Sequence, residues 1–95
     1  MKFMVYSQDK PDSLAIRKAN REAHLAWLRA PSNVTLDIAG PWLDDEGTMR
    51  GSLLIVDAES KQAVLDWLTL DPYRAAGLTA SVNVNGYNWA IGAPA

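Results

Sequence analysis

The sequence predicts an α+β domain of the ferredoxin-like kind: one antiparallel sheet with two helices on one face, in the order βαββαβ. Three observations lead there. Four β-favouring runs and two helix-forming runs follow one another as strand, helix, strand, strand, helix, strand along 95 residues, which is the split βαβ arrangement. Turn-forming clusters, "DKPDS", "APSN" and "DDEG", separate the runs. Apolar residues occupy both faces of the expected strands, although two helices cover only one. An uncovered apolar sheet face marks an interface, so a homodimer packed through the sheets, a dimeric α+β barrel, is expected.

The first strand is read from Lys2 to Gln8, where "KFMVYSQ" is rich in aromatic and branched residues. Asp12 or Ser13 is then placed to accept a backbone N–H as N-cap. The run "LAIRKANREAHLAWLRA" follows with strong helix formers and no internal glycine or proline. Pro31 disfavours helical geometry at Ala30 and ends the helix. The second strand is expected from about Val34 to Ala39, broken by Gly40 and Pro41. A hairpin turn follows, with Asp45 to Gly47 at its tip. "MRGSLLIVDA" is the third strand. Ser60 caps a second helix, "KQAVLDWLTL", which places Val64, Trp67 and Leu68 on one side and is closed by Pro72. In the last run, "LTASVNVNGYNW", Ala80, Val82 and Val84 alternate with Ser81, Asn83 and Asn85 as in a half-buried strand. A tail begins at about residue 90, and residues 1–95 are read as one domain.

Composition narrows the function. Hydrophobic residues make up 48% of the chain against 21% charged, which predicts a compact fold. A net charge of -2 and a pI near 5.1 give no electrostatic basis for binding nucleic acid or an anionic membrane. No cysteine is present, so disulfides and thiolate chemistry are excluded. One histidine excludes a multi-histidine metal site within the chain, and no glycine-rich nucleotide motif occurs. No cofactor is therefore expected. The amino terminus turns charged too early for a signal-peptide core, and no apolar run is as long as a bilayer span. The expected location is cytoplasmic.

His24 is that single histidine. At 100° per residue, Ile16, Ala19, Ala23, Ala26, Trp27 and Ala30 form one broad stripe of the first helix, expected to face the sheet. His24 lies off its centre, at a border between core and solvent. Several carboxylates are candidate partners. Asp71 stands where the second helix stops, Asp37 places a charge inside a strand, and Asp44 and Asp45 read as solvated turn residues. Ser52 follows Gly51, where a missing side chain leaves room for a ligand or for close packing.

The segments "VYSQDKPDSLAIR", "REAHLAWL", "AGP", "GSLLIVDAES" and "DPYRAAGL" resemble, in order and spacing, the YCII-related (YciI-like) family of small dimeric α+β barrel proteins. The resemblance runs from Val5 to about Val84. It implies a cleft holding a histidine and an aspartate, which here are His24 and Asp71. Gly40, Pro41, Gly51 and Ser52 fall on the family's "AGP" and "GS" positions. The link "LRAPSNVTLDI" and the short "WLDDEG" loop depart from the family pattern at the rim of that cleft. Relatives in this family act in aromatic-compound breakdown, including dehydrochlorination, and the wider superfamily includes lactone isomerases and oxygenases.

The expected function is a cofactor-independent lyase, dehydrochlorinase or isomerase acting on a small organic molecule. Asp71 would orient His24, leaving its other ring nitrogen as general base. Ser52, Arg17 and Arg21 are the candidate substrate-binding residues. The alternative is a non-catalytic small-molecule-binding or interaction module that keeps the same dimer and cleft.

Overall fold

The computed structural model describes residues 1–93. The last two residues of the expected tail lie outside them. Strands β1 (Lys2–Asp9), β2 (Thr35–Leu43), β3 (Met49–Asp57) and β4 (Thr79–Gly86) form one antiparallel sheet in the spatial order β2-β3-β1-β4. Helices α1 (Leu14–Arg29) and α2 (Lys61–Leu68) cover one face, and a single-turn helix α3 (Pro72–Ala75) precedes β4. The ferredoxin-like α+β order is thus the one the sequence predicts. Phe3, Val5, Leu54, Val56 and Val84 point from the sheet into the core, where Leu28, Val64, Trp67 and Leu68 meet them from the helices. No helix among the described residues is long and apolar enough to cross a membrane.

The inward face of α1 is not the alanine stripe. Arg17, His24 and Leu28 are buried and Ile16, Leu25 and Trp27 half-buried, while Ala19, Ala23, Ala26 and Ala30 are exposed. A methyl group removes little area from water, so four alanines orient a helix weakly compared with two leucines. The two polar side chains turn inward because buried partners meet them there. Trp27 stacks on Trp67, ring centroids 4.2 Å apart and planes 26° from parallel, at the margin of the core. The expected N-cap bond is also absent: Asp12 takes a left-handed φ of 56°, and the Ser13 hydroxyl donates back to the Pro11 carbonyl at 3.1 Å.

Gly40 and Pro41 do not break β2, which continues to Leu43. The strand is at the sheet edge, where a missing N–H removes no ladder bond, so Pro41 pairs in register with Ser52. The ladder slips between Leu36 and Ile38, making Asp37 a bulge residue. That slip accounts for a charge within a strand, since the Asp37 carboxylate accepts from Lys2 Nζ at 2.6 Å. The β2–β3 turn has Asp45–Gly47 at its tip, as expected, with Gly47 at φ 81°. Asp44 does more than sit in solvent. It accepts from the Glu46 and Thr48 N–H groups and from Arg50 Nε, and the Arg50 bond holds its carboxyl below the ordinary range.

Ser60 caps α2 by accepting from Ala63 N, and Val64, Trp67 and Leu68 are its buried side. β4 is shorter than the run that predicted it, but Val84 is buried and Val82 half-buried on the helix side. On the opposite face Tyr6 and Ile38 are exposed, with Met4, Leu53 and Trp42 half-buried beside them. The Trp42 indole lies across β3 at Gly51, stacks on Tyr6 at 5.5 Å and donates to the Ser7 carbonyl at 2.7 Å. A Cβ at Gly51 would collide with both the indole and that carbonyl. Close packing, and not room for a ligand, is the reason for glycine there.

Candidate functional site

Helix α3 starts at Pro72, whose fixed φ is suited to the first helical position. The proline expected only to end α2 therefore begins a new turn of helix. Asp71 becomes its N-cap, and its Oδ1 accepts from the Tyr73 N–H at 2.9 Å. The same oxygen lies 2.8 Å from His24 Nδ1 on α1. Where the carboxylate accepts, Nδ1 is the donor, and in the neutral imidazole Nε2 then keeps its lone pair. The imidazole is 6% exposed and stacks on the Tyr73 ring, centroids 3.9 Å apart and planes 13° from parallel. Cap bond, ring stack and dyad bond together fix the orientation of the imidazole.

Arg17, two helical turns before His24, is 3% exposed. Its Nε and Nη2 donate to the two oxygens of Asp9, at 2.7 and 2.9 Å, and Nη2 also donates to Ser52 Oγ at 2.9 Å. Burial works against the guanidinium charge, but the Asp9 hydrogen bonds and charge outweigh it and hold Arg17 above its ordinary range. Nη1 has no partner among the described residues. Ser52 is fixed from β1, where Ser7 Oγ accepts from its N–H at 3.2 Å.

His24, Tyr73, Arg17 and Ser52 line one cavity of about 120 Å³ between α1, α3 and the β2–β3 side of the sheet. Arg17, His24, Ser52 and Tyr73 are its polar wall and Arg21, exposed on α1, stands at the mouth. Leu25, Leu28, Pro41 and Leu54 supply apolar surface. An enclosed apolar cavity of about 150 Å³ holds a benzene molecule, so this one is of the size of a small molecule. Of the five site residues expected from the sequence, His24, Ser52, Arg17 and Arg21 line this cavity, and Asp71 is joined to it through its bond to His24. Arg17 differs from expectation in one respect: Asp9 occupies its bidentate edge and Ser52 part of the next, leaving no fork for a substrate carboxylate. Asp9 and Tyr73 were not foreseen. The only sequence signals were a charge at the end of β1 and an aromatic residue directly after the "DP" pair.

The YCII-related domain model matches residues 1–88. The chain belongs to the YCII-related domain family. Its relatives include Protein YciI of Escherichia coli, 38% identical over 94 residues, covering 92% of this chain and 96% of that protein. An uncharacterized protein of Haemophilus influenzae is 36% identical with the same coverage. Among solved structures, 5-chloro-2-hydroxyhydroquinone dehydrochlorinase from Burkholderia phenoliruptrix AC1100, in complex with 2,5-dihydroxybenzoquinone, superposes with a TM-score of 0.82. It is 36% identical, and the match covers 93% of this chain and 94% of that one. The resemblance read from the sequence motifs is thus a true family relationship, and the YCII-related chain shares its fold with an enzyme crystallised with a small ring compound.

Proposed function

We propose that this YCII-related protein is a cofactor-independent lyase of dehydrochlorinase or isomerase type, acting on hydroxylated six-membered rings. The observation that carries the reading is the His24–Asp71 bond of 2.8 Å, made by an imidazole that lines the cavity. Loss of HCl from a chlorinated trihydroxybenzene illustrates the chemistry. Two O–H protons leave as two carbonyls form, one proton is returned to the chlorine-bearing carbon, and the other departs while chloride takes the C–Cl bonding pair. No electrons enter or leave, so the step needs a proton carrier and no oxidant. His24 Nε2 is that carrier, Asp71 orients it, and Arg17 Nη1 faces oxygen charge as it develops.

The dyad is tested by nitrogen NMR, which a single histidine makes simple. At neutral pH the wild type is expected to show the Nδ1–H tautomer, and Asp71→Asn to lose that preference. A wild-type spectrum of the Nε2–H tautomer would overturn the assignment of Nε2 as base.

A homodimer through the outer sheet face belongs to the same proposal. Tyr6 and Ile38 are 37% and 44% exposed there, beside Met4, Leu53 and Trp42 and away from the cavity. Sedimentation is expected to give twice the 10.4 kDa chain mass, and Ile38→Lys to give the chain mass with the fold retained. A wild-type monomer at micromolar concentration sinks the interface.

A further inference from the structure

We infer that the Tyr73 hydroxyl donates a hydrogen bond to an oxygen of the ring substrate, beside the Arg17 guanidinium; this rests on the proposed ring chemistry. Tyr73 is 3% exposed, yet its Oη has no hydrogen-bond partner among the described residues. Buried phenols ordinarily find one. The only side-chain polar atom that is both sealed from solvent and unpartnered among the described residues is Trp27 Nε1. Tyr73 Oη therefore keeps some surface, and the cavity is the space that its side chain lines.

The hydroxyl is aimed by a ring that has little freedom. His24 stacks on that ring at 3.9 Å, and the Arg17 guanidinium carbon is 4.7 Å from its centre. The backbone is held on both sides: Tyr73 N donates to Asp71 Oδ1, and the Tyr73 carbonyl accepts from Leu78 N at 3.0 Å. Burial pushes the phenol above its ordinary range, more than the nearby Arg17 and Arg21 charges lower it. Tyr73 accordingly stays protonated at neutral pH and presents a donor. Arg17 Nη1, the Ser52 hydroxyl, Arg21 and Tyr73 Oη are then the donors of the cavity, and His24 Nε2 is its acceptor. A ligand that meets both His24 and Tyr73 has at least two ring oxygens, one giving its proton to His24 and another accepting from Tyr73. Hydroxyquinols have that pattern; a halobenzene without oxygen does not.

Tyr73→Phe keeps the ring and its stack and removes only the hydroxyl. The affinity of wild type and variant for 2,5-dihydroxybenzoquinone is measured by titration calorimetry, with the His24 ring nitrogen signals followed in both. The expected result is binding about ten- to a hundredfold weaker in Tyr73→Phe, the range of one hydrogen bond, with the His24 signals unchanged. Affinities within twofold of each other overturn the inference. So does weaker binding accompanied by a change of His24 tautomer, which would place the hydroxyl's effect on the dyad. A wild type that does not bind the quinone removes the ring reading itself and this inference with it.

Discussion

If the proposed lyase activity holds, turnover of a chlorinated trihydroxybenzene is expected to fall by about 10²- to 10⁴-fold in His24→Gln, the range that a positioned general base supplies. Glutamine suits this test because its amide N–H replaces the Nδ1–H that Asp71 accepts, while no basic nitrogen remains. The Asp71 carboxylate keeps its bond from the Tyr73 N–H in either case, so the α3 cap is not the cause of any loss. Affinity for 2,5-dihydroxybenzoquinone is expected to stay within a few-fold, because Arg17, Ser52, Tyr73 and the apolar wall are untouched and the glutamine amide oxygen is an acceptor in place of Nε2. A loss in kcat with little change in binding is the signature of an interaction used in the transition state. Full activity in the variant would remove His24 from the chemistry. If wild-type protein binds the ring compound and never turns it over, the site is a binding module, the alternative open from the sequence.

Asp9→Ala is expected to destabilise the protein by about 3–5 kcal/mol, because it leaves a buried guanidinium with its charge uncompensated. The Arg17 and Asp9 side chains are 4% and 7% exposed, so water does not take over the lost bonds. For a domain of this size each kcal/mol corresponds to roughly 4–8 °C of melting temperature, which makes the expected drop tens of degrees. The double substitution Asp9→Ala/Arg17→Met is expected to recover most of it, since it removes the charge as well as its partner. Thermal unfolding of the wild type, both single variants and the double variant completes the cycle. Independent, additive effects of the two substitutions would show that the pair does not act as a unit. With Asp9 present Arg17 keeps its place beside Ser52.

The alternation of apolar residues along the strands and the helix-forming runs fixed the order of elements, because local propensity and a periodicity of two or 3.6 residues act within a single segment. Cap and turn chemistry was legible for the same reason at Ser60 and at Asp45–Gly47. Local rules failed where a neighbour in space decided the outcome. Pro41 reads as a strand breaker until β2 is known to be an edge strand, and Asp37 reads as misplaced until Lys2 is found across the sheet. The α1 wheel chose the alanines because it could weigh only hydrophobicity, whereas Arg17 is buried through Asp9, eight positions earlier in the chain.

Taken alone, the sequence determined the ferredoxin-like order, the family resemblance and the singular position of His24. Only tertiary structure brought His24 to Asp71 across 47 positions, used Pro72 to begin the turn that aims that carboxylate, and set Asp9 against Arg17 and Tyr73 against the imidazole. The physical reason is the range of the forces involved. Backbone propensity and amphipathic periodicity are properties of adjacent residues, but a buried polar group is stable only where a partner arrives from another element. That arrival depends on how the whole chain packs.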